Sequence, residues 1–269
     1  LTKYFTMNLK SLITRPELIF WSIAFVEFWA LMWAYAFGAY VPAKEEAVRC
    51  YASAAYGGLM IISLSAAATS IAHALIHSSK SIRFVTKYTR LSPSRLLVES
   101  AASSILALLM VAAVMFASMA AVFSHKFEAL VLPEKPLGLV AVTLLSAVFL
   151  YAFSALLSFL IVVLRAPRSA SFVAFVPLML GFLAYASIWV DFKAFAYVSP
   201  FNCISALAYY CYSGRRPVTG ALFMPNEGGP MDVALTAASL TAWTIALLTL
   251  DAILLRKMRG VGIEEIRLV

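Results

Sequence analysis

Charge is scarce in this sequence. Only 13% of its 269 residues are Asp, Glu, Lys or Arg, about half the usual share of a water-soluble domain. Histidine and cysteine number three each. Cys50, Cys203 and Cys211 are too scattered for a metal site and read as ordinary small apolar residues. His73 and His77 stand four apart but lack the intervening Glu and the third ligand of a HExxH site. No glycine-rich phosphate loop ending in Lys and Ser or Thr occurs, so the chain has no recognisable means of holding ATP. No nucleophile and base stand at a useful spacing, which places a membrane-embedded enzyme last among the readings. Alternation of the kind a transmembrane barrel needs is missing too.

What is present is apolar. Hydrophobic residues make up 63% of the chain and its mean hydropathy is +0.90. A surplus of this size must face lipid, where only structures that satisfy their own backbone groups survive. The class is therefore an all-α integral membrane protein. Runs of about 20 apolar residues, the length that crosses about 30 Å of hydrocarbon, fall at 19–41, 54–76, 99–123, 137–164, 171–190 and 232–255. Pro177 and Gly181 interrupt the fifth, which has the least sharply drawn boundary. The first 18 residues lack the series of a cleavable signal peptide, so the first span is expected to be its own insertion signal.

With six spans both termini share a side. The termini and the second and fourth loops carry 14 of the 21 basic residues, against 7 in the loops of the other side. The positive-inside rule makes both termini cytoplasmic, in a multi-pass protein of the cell membrane. The net charge of +8 is then explained by loops that meet anionic lipid, without nucleic acid.

Several segments are more specific. Residues 1–15 place Leu1, Phe5, Leu9, Leu12 and Ile13 on one helical face, as in an amphipathic interfacial helix, and Pro16 turns the chain inward. The second span is rich in small residues, Gly57, Gly58, Ala66, Ser70 and Ala74 among them, and reads as a packing helix able to line a pathway. Ser92 before Pro93 reads as the start of a short cytoplasmic helix leading into the third span. Residues 201–213, between a proline turn and a Gly/Pro-rich loop, are too few to cross and read as a re-entrant segment. Glu27 lies about eight residues into the first span. There it is either a pathway or gating residue or the partner of a hydrogen bond from a neighbouring helix. Trp21, Trp29, Trp33, Tyr35, Tyr40, Trp189, Tyr197, Tyr209, Tyr210 and Tyr212 gather at span ends, where most serve as interface anchors. Those of the re-entrant segment have the alternative role of an outer gate.

At these residues the chain resembles the permease subunits of type-2 ABC transporters, over essentially its whole length. Lys87 and the run Arg90, Leu91, Ser92, Pro93, Ser94, Arg95 are similar to that family's coupling turn. Ser199, Pro200 and Phe201, followed by Asn202, are similar to its Ser-Pro-Phe turn after the fifth span. The resemblance implies a coupling helix docking on a separate ABC ATP-binding subunit that holds ATP and Mg, with no cofactor in this chain. It also implies a second permease subunit, identical or different, and alternating access in the direction of export. It places the coupling role on residues 87 and 90–95 and a pathway or gate on Glu27 and residues 199–202. The basic run from Ser78 to Arg83 departs from the acidic, glycine-containing stretch of many members, so the partner would have to accept a basic loop. A non-transporting membrane anchor or assembly protein for a peripheral partner is the competing reading.

Overall fold

The computed structural model describes residues 3–42, 44–88, 93–164, 167–222 and 228–258, and among these the chain is helical with no strand. Six segments are long and apolar enough to cross a bilayer: Pro16–Tyr40, Glu45–His77, Val98–Phe127, Pro136–Val163, Ala170–Ile188 and Val233–Leu254. They follow the six expected spans closely, except that the second starts nine residues earlier than its apolar run.

Helix α1 (Lys3–Ile13) buries Leu12 and lies along α5 (Pro93–Phe127), where Asn8 Nδ2 donates to Ser103 Oγ at 2.6 Å. After Pro16 comes a span of mixed winding. Its α-helical pieces α2 (Pro16–Ile19) and α3 (Phe25–Leu31) alternate with two π-helical turns, Phe20–Ala24 and Met32–Ala36, and it ends in a 3-10 turn, Phe37–Tyr40. Helix α4 (Glu45–Tyr88) has 44 residues and is about 66 Å long at 1.5 Å per residue. It outreaches any apolar run because the helix continues into polar sequence at both ends. Glu45 and Glu46 favour its first turn by complementing the helix dipole. Helices α6 (Pro136–Val163), α7 (Ala170–Tyr185), α8 (Phe195–Val198), α9 (Pro200–Ser213) and α10 (Val233–Met258) complete the chain.

Helix α4 is the axis of the fold. Of its apolar window 89% is buried, against 22% to 67% for the other five spans, and α5, α6, α7 and α9 all pack on it. The small residues of the second span do this work, because in a membrane close packing rather than water exclusion drives helix association. A Cβ on Gly57 would stand 2.9 Å from the Ser205 carbonyl oxygen of α9, and one on Gly181 of α7 would stand 2.5 Å from Ser65 Oγ of α4. The outer spans turn Phe20, Phe28, Met110, Val140, Phe172, Met179, Ile245 and Leu248 outward, as a lipid-facing surface requires.

Two local expectations are corrected. Pro177 does not break the fifth span: it lies buried inside a continuous α7, where neighbouring helices shelter the interrupted backbone ladder. The short helix expected before the third span is not separate, since α5 runs unbroken from Pro93 and no glycine or further proline follows to stop it. Lys87 lies on the last turn of α4 and Pro93, Ser94 and Arg95 on the first turn of α5, whereas Arg90, Leu91 and Ser92 lie outside the described residues.

Candidate functional site: a polar crevice beside α4

The first span and α7 each pack on α4, and all three meet around one end of the seam. There a cavity of about 470 Å³ is lined by Arg15 just ahead of the first span and Pro16, Glu17 and Trp21 within it, by Ala66, Thr69, Ser70, His73 and His77 of α4, and by Phe175 and Leu178 of α7. The volume falls in the roughly 300–1,000 Å³ range of small-molecule sites. The α4 residues recur at helical spacing and so form one stripe. His73 is half-buried, His77 is exposed, and Thr69 Oγ1 donates to the Ser65 carbonyl at 3.1 Å.

Beyond the cavity the seam stays polar. Ser63 Oγ donates to the Ser22 carbonyl at 2.6 Å, and Ser22 Oγ and Ser65 Oγ are buried without a hydrogen-bond partner among the described residues. The far end is closed by rings. Trp33 Nε1 donates to Tyr185 Oη at 2.9 Å, Tyr51 Oη donates to the Trp33 carbonyl at 2.7 Å, and Trp189 packs on both Trp33 and Tyr185 with centroids 6.5 and 5.0 Å away. The two carbonyls that accept from α4 hydroxyls, those of Ser22 and Trp33, each lie in one of the π-helical turns. Such turns loosen the regular backbone ladder, and α4 supplies a donor at each.

Glu27 does not line this crevice. Its carboxylate accepts a hydrogen bond from Ser118 Oγ of α5, which is the neighbouring-helix arrangement. Ser199 caps α9 by accepting from the Asn202 amide at 3.4 Å, with Pro200 as the first helical residue. Phe201 is buried edge-on against Phe149 and Phe153. Asn202 is 4% exposed and both of its side-chain polar atoms lack a partner among the described residues. The carbonyls at the end of α8 are satisfied by α10: Ser239 Oγ donates to Tyr197 O at 2.6 Å and Trp243 Nε1 to Val198 O at 2.8 Å. Trp243 is ten residues along α10, so this turn sits about 15 Å from the start of that helix.

Not all of the span-end aromatics are anchors. Trp21, Tyr35, Tyr40 and Trp189 are exposed as anchors are, but Trp33, Tyr209 and Tyr212 are buried because helix packing claims them first. Tyr212 donates to the Val131 carbonyl at 2.9 Å and stacks at a tilt on Tyr56.

Other concave places carry less chemistry. A cavity of about 310 Å³ between α4, α5 and α6 is lined by apolar side chains with only Tyr56 and Thr143 polar. At the start of α4, Arg49 pairs with Glu45 and Glu134, and Arg215 with Glu46, so each of these carboxylates has a guanidinium partner. Among the described residues no group of three or more His, Cys, Asp or Glu is placed to hold a metal ion. Sequence reasoning had noted Ala66, Ser70, His73 and His77 separately. The signal that unites them is polar and small residues at i, i+3, i+4, i+7 and i+11 along an otherwise apolar helix, and Arg15 and Glu17 join them only through the fold. No family model, curated protein or solved structure matches the chain.

Proposed function

We propose that this chain is the membrane-spanning permease subunit of an ATP-driven ABC transporter, acting as an exporter, with both termini cytoplasmic in a cell membrane. The observation that carries the reading is the seam between the first span, α4 and α7: a polar cavity at one end, buried hydroxyls along the middle and a hydrogen-bonded aromatic closure at the other. A purely structural seam gains nothing from buried hydroxyls such as those of Ser22 and Ser65, which lack a partner among the described residues and so cost stability. A route for a polar group has use for them. Cytoplasmic termini put Arg15 and His77 at the inner mouth and the aromatic closure outside.

In this reading α1 lies in the interface, and α8 descends to a turn that α9 climbs back from, as a re-entrant pair. The depth of about 15 Å inferred for that turn and the 14-residue length of α9 support the assignment. Residues 87 and 90–95 dock on the ATP-binding subunit, which holds ATP and Mg, and a second permease copy or chain completes the unit. Nucleotide binding supplies the free-energy difference between inward and outward states.

Tagging the C-terminus, solubilising gently and identifying stoichiometric partners by mass spectrometry tests the proposal. An ATP-binding cassette protein is the expected companion, and its ATPase should uncouple from transport when Arg90 or Pro93 is replaced, with insertion intact. Purification without any such partner would favour the anchor reading.

A further inference from the structure

We infer that the crevice is a binding site for an anionic amphiphile, whose acceptor-rich head lies among Arg15, His73 and His77 and whose apolar tail leaves past Trp21 and Phe175. The inference rests on the transport reading only in calling the bound molecule a cargo; the binding chemistry stands on the crevice itself.

One guanidinium and two imidazoles, those of Arg15, His73 and His77, line the cavity. Arg15 is a permanent cation, and an imidazole donates at least one N–H in either protonation state. Among the described residues Glu17 is the one acidic lining residue, and it is exposed. The lining, among the described residues, thus holds one carboxylate and two aromatic side chains, Trp21 and Phe175, on separate helices, short of the aromatic cage or paired carboxylates that suit a cationic head.

The apolar half of the ligand follows from the lining. The first span and α7 bring half-exposed rings to the cavity, Trp21 at 42% and Phe175 at 44% exposure. Both rings continue into the outward surface formed by Ile19, Phe20, Phe172 and Met179. A molecule with its head in the cavity therefore has lipid-facing surface, rather than polar surface, on which to lay a chain.

Fluorescence quenching of Trp21 tests this on the full chain purified in a neutral detergent. The probes are 11-bromoundecyl phosphate, 11-bromoundecyl trimethylammonium and inorganic phosphate. The phosphate amphiphile should quench, saturably, the part of the emission that Trp21→Phe lacks, and at a concentration at least about 10-fold below the ammonium probe. Arg15→Gln and the double variant His73→Gln/His77→Gln should each weaken it by about 10-fold, as loss of a charge-assisted or buried hydrogen bond does, while Arg15→Lys retains most of it. Equal quenching by both bromoalkyl probes, quenching unchanged in Trp21→Phe, or affinities unchanged in the Gln variants would overturn the inference. Displacement by millimolar inorganic phosphate would overturn it in favour of a free anion. Selective binding in a chain that brings no ATPase would sink the transport reading alone, and an ATPase partner without anion selectivity would sink this site alone.

Discussion

Placing a methyl group on Gly181 tests the packing on which the crevice depends. In Gly181→Ala the new Cβ would lie 2.5 Å from Ser65 Oγ, 2.6 Å from Ser65 Cβ and 3.3 Å from the Ile61 carbonyl oxygen. The first two distances are too short to persist, so α7 must move away from α4. Overpacking of this kind costs about 1–3 kcal/mol, while replacing a helical glycine by alanine returns about 1 kcal/mol, leaving a net loss of up to about 2 kcal/mol. A double-mutant cycle removes the ambiguity, because the propensity terms cancel in it. Ser65→Ala leaves its Cβ in place and should not rescue. Ser65→Gly removes both clashing atoms and should couple to Gly181→Ala by about 1–2 kcal/mol. Unfolding in mixed micelles, followed by tryptophan emission, gives the four stabilities. A coupling within about 0.3 kcal/mol of zero would refute the close approach of α4 and α7 at this level.

Ser63→Ala and Tyr51→Phe should each cost about 0.6 kcal/mol and at most about 1.7 kcal/mol, the range of interhelical hydrogen bonds in membranes; hydrogen exchange should then rise within the π-helical turns of the first span and nowhere on α6. Glu27→Gln should leave stability unchanged, since an amide oxygen accepts from Ser118 as the carboxylate does; under the proposed transporter function, lost transport with normal folding would favour the gating role. In the loop, Thr219 Oγ1 and the Lys193 amide donate to Asp191 and hold its carboxyl below the ordinary carboxylate range. Its contribution is therefore fully present above that range and is lost as pH falls through the depressed value. Thr219→Val should raise the pKa of Asp191 and expose the Gly229 amide, which donates to Thr219 Oγ1 at 3.1 Å, to exchange; an unaltered titration would contradict the assigned bond.

The sequence by itself determined the class and the spans, because the need to bury each backbone polar group in hydrocarbon leaves one solution for apolar runs of this length. It also marked α4 as a packing helix through Gly57, Gly58, Ala66 and Ser70, since small side chains have little other use in a span. It marked the start of α5 through Pro93 and the start of α9 through Ser199 and Pro200, because caps are local. Only the tertiary structure decided the rest. The full length of α4 was hidden because a helix extends into polar sequence at no cost that hydropathy registers. The π-helical turns of the first span were hidden because their carbonyls find donors, Ser63 and Tyr51, that are far away in sequence. The hydrogen-bond partner of Glu27 was hidden as well, because Ser118 stands ninety-one residues later. The crevice was invisible for the same reason: Trp21, His73 and Phe175 belong to three helices, and which faces of those helices meet depends on how glycines and serines let their backbones approach.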